Sequence, residues 1–498
     1  MKIYETYYGE NAAGIPKIKL PLSEEELTAD LIGKWLPSVL AQQKKNAKKI
    51  EHFLDYVNGI GLPIESKERK FEEAREHNNK IKQNHAYAIV AFKEGFLLGD
   101  KRELAQKDDA DLDDLIYLDR YLTDVSFYSK DLEVKHNVYA SGIGTSFIYP
   151  RTDIIVRDVN GSRFKRVEEG YDVDSESPFV YECVDSRYNA VVYTSKIGAR
   201  GAGDLFCFNI SYRYRDDRPT PEEVVTVYTR RFTAQYGSDG KQIGEVIPAP
   251  DGLSILPMVE HSVNSSRIGC VEIIETSLDA VNTIVSNCVD NVVDRVNQIL
   301  VFLGCEAEAI DVQEAYENGA LCIPQSGTGQ NPGVDKITLD MNYADIITLA
   351  HEILVRSYDV VGVPLSGSTT GNGNNQAAYI GGGWTNAMIA IKRDVCALEQ
   401  SDMELIKRML AICRLNGANK VRNITASQID NKYNVKITDN ILSYSQALQN
   451  FVDAGMPYEH ILKAVPLWSD TKTVAKDWRD NAEKIKRETE ASAESPIV

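Results

Sequence analysis

The sequence predicts an α+β protein whose strands and helices are largely segregated along the chain. Three observations carry this prediction. Residues 142–262 consist mostly of short alternating runs rich in Val, Ile, Tyr and Phe, as expected of strands with one buried face. Residues 271–298 and 342–361 form two long helical patterns around a short β-rich insert. Most of the remaining chain, before 140 and after 384, has helical periodicity.

Composition narrows the function classes. The 498 residues are 43% hydrophobic and 26% charged, ordinary values for a globular chain long enough for several cores. The formal net charge of −18 argues against a nonspecific grip on nucleic acid, which needs a basic surface. Eight cysteines are scattered without C-x-x-C spacing, so neither a zinc site nor a redox motif is indicated, and reduced, mostly buried thiols are expected. Met1-Lys2-Ile3-Tyr4-Glu5 does not read as a signal peptide. The apolar run Ala86–Phe92 is too short to span a bilayer. No membrane partner is expected.

In chain order, residues 1–50 read as a peripheral arm. Ser23 followed by Glu24, Glu25 and Glu26 marks a helix start, and Lys44, Lys45, Lys48 and Lys49 read as a solvated basic face. Ile89, Val90 and Phe92 predict the packed face of a helix closed by Gly95 and Gly99. His85 has no carboxylate nearby in sequence and is assigned a structural role. Residues 108–140 read as one helix with Asp108, Asp109, Asp111, Asp113 and Asp114 at its positive end. These carboxylates lack the Gly and terminal Glu of an EF-hand loop, so no metal is expected. Within 142–262, the strands include Tyr181–Tyr193 around a polar turn, Phe206–Arg213 and Val224–Phe232, with Ser238-Asp239-Gly240 as a hairpin turn. Their Tyr and Phe residues read as sheet packing rather than base-stacking.

In the first long helix, Leu278, Val281, Val285, Cys288, Val292 and Val296 step by three and four. Ile299–Leu303, Ala320–Pro324 and Lys336–Leu339 read as three β runs. The second long helix carries Ala344, Ile347, His351, Leu354, Tyr358 and Val361 at helical spacing and stops before Pro364. Residues 365–375, Leu-Ser-Gly-Ser-Thr-Thr-Gly-Asn-Gly-Asn-Asn, read as a polar loop. Beyond it, Met403, Ile406, Met409, Leu410 and Cys413 predict an apolar helix stripe. Tyr433–Ile437 predicts a lone strand returning to the earlier sheet, and from Asp439 the chain is helical apart from a turn at Ala454–Pro457.

The order helix, small β insert, helix, polar loop, helix resembles the portal proteins of tailed bacteriophages, the head–tail connectors. Weaker matches extend it along most of the chain. Asn79-Lys80-Ile81, Asn84-His85-Ala86 and Gly95–Gly99 resemble the family's N-terminal pattern. The Val191-Val192-Tyr193 strand after a polar turn is similar to a portal segment, and Leu256–His261 through Asn264 to Arg267-Ile268-Gly269 resembles the entry into its first stem helix. Leu278-Asp279-Ala280-Val281-Asn282 resembles a Leu-Asp-Ala-Tyr-Asn pattern, with Val281 in place of the aromatic residue. Tyr458–Leu462 resembles the start of the portal crown.

The resemblance implies a portal fold with an α/β wing, a two-helix stem, a small β-rich clip insert and a helical C-terminal crown. The expected boundaries are wing 1–270 and 381–440, stem helices 271–298 and 341–363, clip 299–340, tunnel loop 364–380 and crown 441–498. It implies a dodecameric ring of this chain at one capsid vertex of the virion, assembled in the bacterial host cytoplasm. The ring would be a channel for double-stranded DNA in packaging and ejection. Its implied partners are the large and small terminase subunits, a head-completion adaptor, scaffold and the major capsid protein. ATP hydrolysis would belong to the terminase, and no cofactor is implied.

Candidate site residues follow. Asp345, Glu352 and Asp359 recur every seven residues on one helix face and are expected to line the channel. Asp279, Ser286, Asp290, Asp294 and Asn297 fall near one face of the first long helix and are expected beside them. Ser366, Ser368, Thr369, Thr370, Asn372, Asn374 and Asn375 would form an uncharged DNA-contacting loop, because no Lys or Arg lies between Arg356 and Lys392. Glu306, Glu308 and Asp311, with Glu314 and Glu317, make an acidic clip segment expected to contact terminase. No catalytic motif survives inspection. His351-Glu352 lacks a second His at Val355, Gly371-Asn372-Gly373 is not a P-loop, and Ser141-Gly142-Ile143-Gly144 is not a nucleophile elbow. The alternative class is an enzyme, a nuclease or hydrolase, with a site assembled from dispersed carboxylates.

Overall fold

All of Asn189–Tyr193 is buried, which places this run in the middle of a sheet covered on both faces. The computed structural model describes residues 13–68, 78–107, 114–151, 155–157, 164–166, 172, 174–197, 203–215, 218–249, 253–296, 299–303, 333–337, 343–365, 383–415, 420–435, 441–457, 460–462, 474–481 and 484. Packing divides the chain into two units: Met1–Asn58, Ala86–Ile273 and Val361–Val498 form the first, and Gly59–His85 with Ile274–Val360 the second. Helices and several separate sheets coexist, in keeping with an α+β class.

The first unit opens with β1 (Ile18–Leu20) and α1 (Ala29–Val57). Next come α2 (His85–Leu98), β2 (Glu103–Gln106), α3 (Leu115–Asp124) and α4 (Phe127–Ser141). The strand region follows: β3 (Gly144–Pro150), β4 (Ile155–Arg157), β5 (Phe164–Arg166), β6 (Phe179–Val184), β7 (Asn189–Thr194), β8 (Asp204–Arg215), β9 (Arg218–Tyr228), β10 (Phe232–Gly237), β11 (Gln242–Pro248) and β12 (Met258–His261). The larger sheet has the order β1-β7-β8-β9-β10-β11, and a second has the order β12-β3-β6. On one face of the larger sheet, Val192, Phe206, Phe208, Val225, Val227 and Tyr236 share a core with Ile32, Leu36, Val39 and Leu40 of α1. On the other face, Val191, Tyr193 and Cys207 join Leu256 and Met258. The alternation between these two sets is the two-residue period of a strand.

The N-terminal segment is therefore not a peripheral arm. Ile18–Leu20 pairs in parallel with Val192–Thr194, and α1 covers the sheet. Glu24–Glu26 forms only a 3₁₀ turn, and α1 starts at Ala29, where the Thr28 hydroxyl accepts from the Leu31 amide. Gln43 and Asn46 are buried on α1 because their amides donate to the carbonyls of Ser186, Arg187 and Pro16. Gly33 of α1 meets Gly240 of the predicted hairpin turn so closely that a Cβ on Gly33 would lie 2.6 Å from the Gly240 carbonyl oxygen. Lys44 of the basic run bridges Glu223, and Lys49 donates to the Gly14 carbonyl.

The predicted helix 108–140 is two helices, broken at Ser126, which adopts φ 54°. Asp124, at the end of α3, accepts the Ser177 amide instead of continuing the helix. Residues 108–113 lie outside the described residues. The predicted strand Tyr433–Ile437 is displaced upstream. It is Ile429–Lys432 (β15), paired antiparallel with β2 rather than with the larger sheet. The displacement leaves Tyr433 free to send its hydroxyl to Asp402. The long helix after the polar loop spans Trp384–Cys413 and buries Ile406, Met409, Leu410 and Cys413 as predicted, with Met403 half-buried. Ile441–Asp453 is the last long described helix, followed by the expected turn at Gly455. Among the described residues, no helix is long and apolar enough to cross a membrane.

Candidate functional site

The second unit is built on the predicted helix–insert–helix order. Helix α5 runs from Cys270 to Val296 over 27 residues, about 40 Å at 1.5 Å per residue. Strands β13 (Ile299–Leu303) and β14 (Gly333–Ile337) then pair antiparallel, from Ile299 opposite Ile337 to Leu303 opposite Gly333. Helix α6 (Tyr343–Val360) follows. The run 320–324 and the acidic candidates Glu306, Glu308 and Asp311 lie outside the described residues, as do Ser366, Ser368, Thr369, Thr370, Asn372, Asn374 and Asn375.

On α6, Asp345, Glu352 and Asp359 are all exposed, while Ala350, Ser357 and Tyr358 are buried. Seven residues of helix fall about 20° short of two turns, so the three carboxylates form one row on the side away from the buried positions. Arg356 reaches back to Glu352 at 3.4 Å, with both side chains exposed. The predicted apolar stripe holds only at the end of α6. Tyr358 and Val361 are buried and Leu354 is half-buried, but Ala344, His351 and Ile347 are exposed, Ile347 to 61%. Leu349 and Val360 are also exposed. The periodicity of the early half therefore marks apolar surface rather than core.

The polar face expected on α5 needs correction. Ser286 and Asp290 are buried, because the extended segment 79–83 lies against them. The amide of Gln83 donates to Asn282 Oδ1 at 3.0 Å, that of Ile81 to Ser286 Oγ at 2.9 Å, and that of Asn79 to Asp290 Oδ1 at 2.7 Å. Lys67 Nζ completes the Asp290 carboxylate at 2.8 Å, with both groups largely buried. Residues 65–67 and 78–82 also bond to each other. Asn78 donates to the Lys67 carbonyl, Lys80 to the Glu65 carbonyl, and Lys82 pairs with the Glu65 carboxylate. At the segment's end, His85 sits between Tyr358 of α6 (Nδ1 to Oη, 3.1 Å) and Gln83. Burial holds the His85 imidazole below its ordinary pKa, which suits the structural role assigned to it. Asp279 is half-buried, and Asn297 lies outside the described residues.

The first unit holds the constellation closest to a catalytic one. Ser146 Oγ lies 3.0 Å from His261 Nε2, and His261 Nδ1 lies 3.4 Å from Asp402 Oδ1, a Ser–His–Asp order. Two facts decide against catalysis. All three side chains are essentially buried, so no substrate reaches the hydroxyl. Lys135 Nζ stands 3.2 Å from the same Nδ1, and an ammonium only donates. Nδ1 therefore accepts, Nε2 carries the ring proton, and the imidazole donates to Ser146 rather than activating it. Burial pushes the His261 pKa down, and Lys135 adds to this. Burial alone would raise the Asp402 carboxyl, but Lys135 and Arg102 hold it well below the carboxylate range. With Asp131 near both cations, the cluster balances two positive against two negative groups.

Among the described residues, no group of three potential ligands is placed to hold a metal. Sequence reasoning missed both the buried cluster and the polar contacts on α5. The α5 contacts had a signal: Asn282, Ser286 and Asp290 recur every four residues beside an apolar stripe, as a polar strip covered by backbone would. The cluster had none, because Arg102, Lys135, His261 and Asp402 come from four distant stretches.

The helix, β insert, helix order and the exposed acidic row form no enclosed pocket among the described residues. Residues 37–354 match the model of the phage portal proteins described as SPP1 Gp6-like, and the chain belongs to this family. It is thus a structural protein of the bacteriophage capsid with a part in DNA packaging. Among curated proteins, none matches it.

Proposed function

We propose that this chain forms a dodecameric ring at one capsid vertex. In this reading the ring is the channel for double-stranded DNA in packaging and ejection. It also docks the large and small terminase subunits, then a head-completion adaptor, and contacts scaffold and the major capsid protein. Residues 271–298 and 341–363 are read as its stem, 299–340 as its clip and 364–380 as its tunnel loop. The wing is 1–270 with 381–440, and the crown is 441–498. The observation that carries the reading is the exposed row Asp345, Glu352 and Asp359, whose first two members lie inside the family-matched span.

Repeated around a ring, that row presents carboxylates to the duplex. Like charge prevents adhesion, whereas each phosphate neutralised by Lys or Arg would strengthen binding. The loop residues Ser366, Ser368, Thr369, Thr370, Asn372, Asn374 and Asn375 supply hydroxyls and amides without charge. ATP hydrolysis is left to the terminase.

Negative-stain images of the purified chain should contain rings with a central hole; compact monomers that turn over a substrate would support the enzyme class instead. Deleting 371–375 should leave rings intact and impair filling or retention of DNA. Capsids that fill and hold DNA normally would remove the loop from the reading. Replacing Glu306 and Glu308 by Lys should spare rings and weaken motor docking, and unchanged packaging would count against a clip–terminase contact.

A further inference from the structure

We infer that residues 78–85, with Lys67, are a clasp that sets the rotation of α5 about its own axis, with Asp290 as its anchoring residue. The inference rests on a match of repeats. Amide donors at 79, 81 and 83 meet acceptors at 290, 286 and 282, so two residues of extended chain answer four residues of helix. Two extended residues advance about 6.6 Å and four helical residues about 6.0 Å. The two periods therefore stay in step over three contacts, with the strands of contact running in opposite chain directions.

This register is selective. A shift of the segment by one residue would offer the amides of 80, 82 and 84, whose side chains point outward and are exposed. It would also bring the half-buried side chains of Asn79 and Ile81 to the surface. Rotating α5 by one residue would replace Asn282, Ser286 and Asp290 with Thr283, Asn287 and Asn291. The Lys67 ammonium would then lose its carboxylate in a largely buried position, which is costly. The clasp thus commits the Asn282–Ser286–Asp290 face to the chain's own interior. Thr283, Asn287 and Val292 remain exposed on α5. His85 carries the same clasp to α6 through Tyr358.

The inference deepens the portal reading, because which face of α5 is free decides what a channel or a neighbouring subunit would meet. Its test does not depend on that reading. Hydrogen exchange at single-amide resolution should be measured on the full chain for Asn282→Ala, Ser286→Ala and Asp290→Ala. Each variant should speed exchange mainly at its own partner, Gln83, Ile81 and Asn79 respectively, by about three- to tenfold for one lost hydrogen bond. Thr283→Ala, at an exposed position that makes none of these contacts, should change none of the three. Equal loss of protection at all three amides in every variant, or no change in any, would overturn the clasp. If Asp290→Ala fails to fold, the Asn282→Ala and Ser286→Ala pair still tests the one-to-one map. Thiol labelling of Cys288, half-buried between these contacts, should rise in the Asn282→Ala/Ser286→Ala double variant; unchanged labelling would count against the clasp. Rings with a failed map would sink the clasp alone, whereas a correct map without rings would sink only the portal architecture.

Discussion

The two units differ in how much charge they enclose. The first encloses Arg102, Asp131, Lys135 and Asp402 at 3% exposure or less and lays continuous apolar cores on both faces of a six-stranded sheet. The second leaves Ile347, Leu349, Val360 and Val292 more than half exposed and keeps its carboxylate row in solvent. The charges hidden in this core stand opposite one another as ion pairs. Long helices that expose aliphatic side chains have surface still to cover, as expected in a family whose members assemble.

The sharpest test of this contrast pairs one carboxylate from each unit. Asp402→Ala would leave Lys135 and Arg102 buried with Asp131 as the one carboxylate between them and should cost about 3–5 kcal/mol in chemical denaturation. Glu352→Ala, on the exposed row, should fall within about 0.5 kcal/mol of the parent. Similar losses in the two variants would break the comparison.

Acid should destabilise the first unit through His261. The folded His261 pKa lies below its unfolded value, so the unfolded chain takes up a proton near pH 6.5 that the folded chain refuses. Stability therefore falls as pH drops below that value, by up to about 1.4 kcal/mol per pH unit for this one group. Asp402, whose folded pKa is depressed, adds a loss of the same sign at lower pH, below about 4. Urea titrations at pH 7.5 and 5.5 should resolve the His261 loss, and His261→Gln should flatten it. A parent chain equally stable at both values would contradict the buried neutral imidazole.

A smaller effect on folding is expected from Ile347→Asp or Leu349→Asp, about 0.5 kcal/mol or less because both positions face solvent in the single chain. Assembly should suffer more, read by light scattering as loss of the large species. Normal assembly by both variants would remove this row from any subunit contact. Thiol chemistry should give the mildest contrast. Burial pushes the Cys207 and Cys413 thiols up to about 12, so both should resist a thiol reagent in the native chain, whereas exposed Cys396 should react first. Early labelling of Cys207 would mean that the sheet core opens readily.

Much of this architecture is written in local pattern. The period-two runs of 142–262 gave strands where they were expected, because alternate burial is a property of each strand by itself. The three-and-four spacing of 271–298 gave α5 within two residues at either end. Ser238-Asp239-Gly240 gave its hairpin turn because Gly240 adopts φ 80°. The row Asp345, Glu352 and Asp359 could be placed on one face from spacing alone, and its members are exposed. Pattern misled where burial depends on what lies opposite. Ile347 keeps helical spacing yet faces outward, and Ser286 and Asp290 look like surface yet lie under an extended segment more than 200 residues earlier in the chain.

The sequence by itself determined the elements, their order and the family, since these rest on periodicity and turn chemistry within short windows. Tertiary structure alone decided which polar groups are interior. Ser146, His261, Lys135 and Asp402 meet because α4, β3, β12 and the helix Trp384–Cys413 converge, and no local window contains more than two of these elements. The energy of a buried charge is set by its neighbours in space rather than in sequence. The same residues that would read as a nucleophile, base and acid on paper therefore became an inaccessible, self-neutralised part of the core.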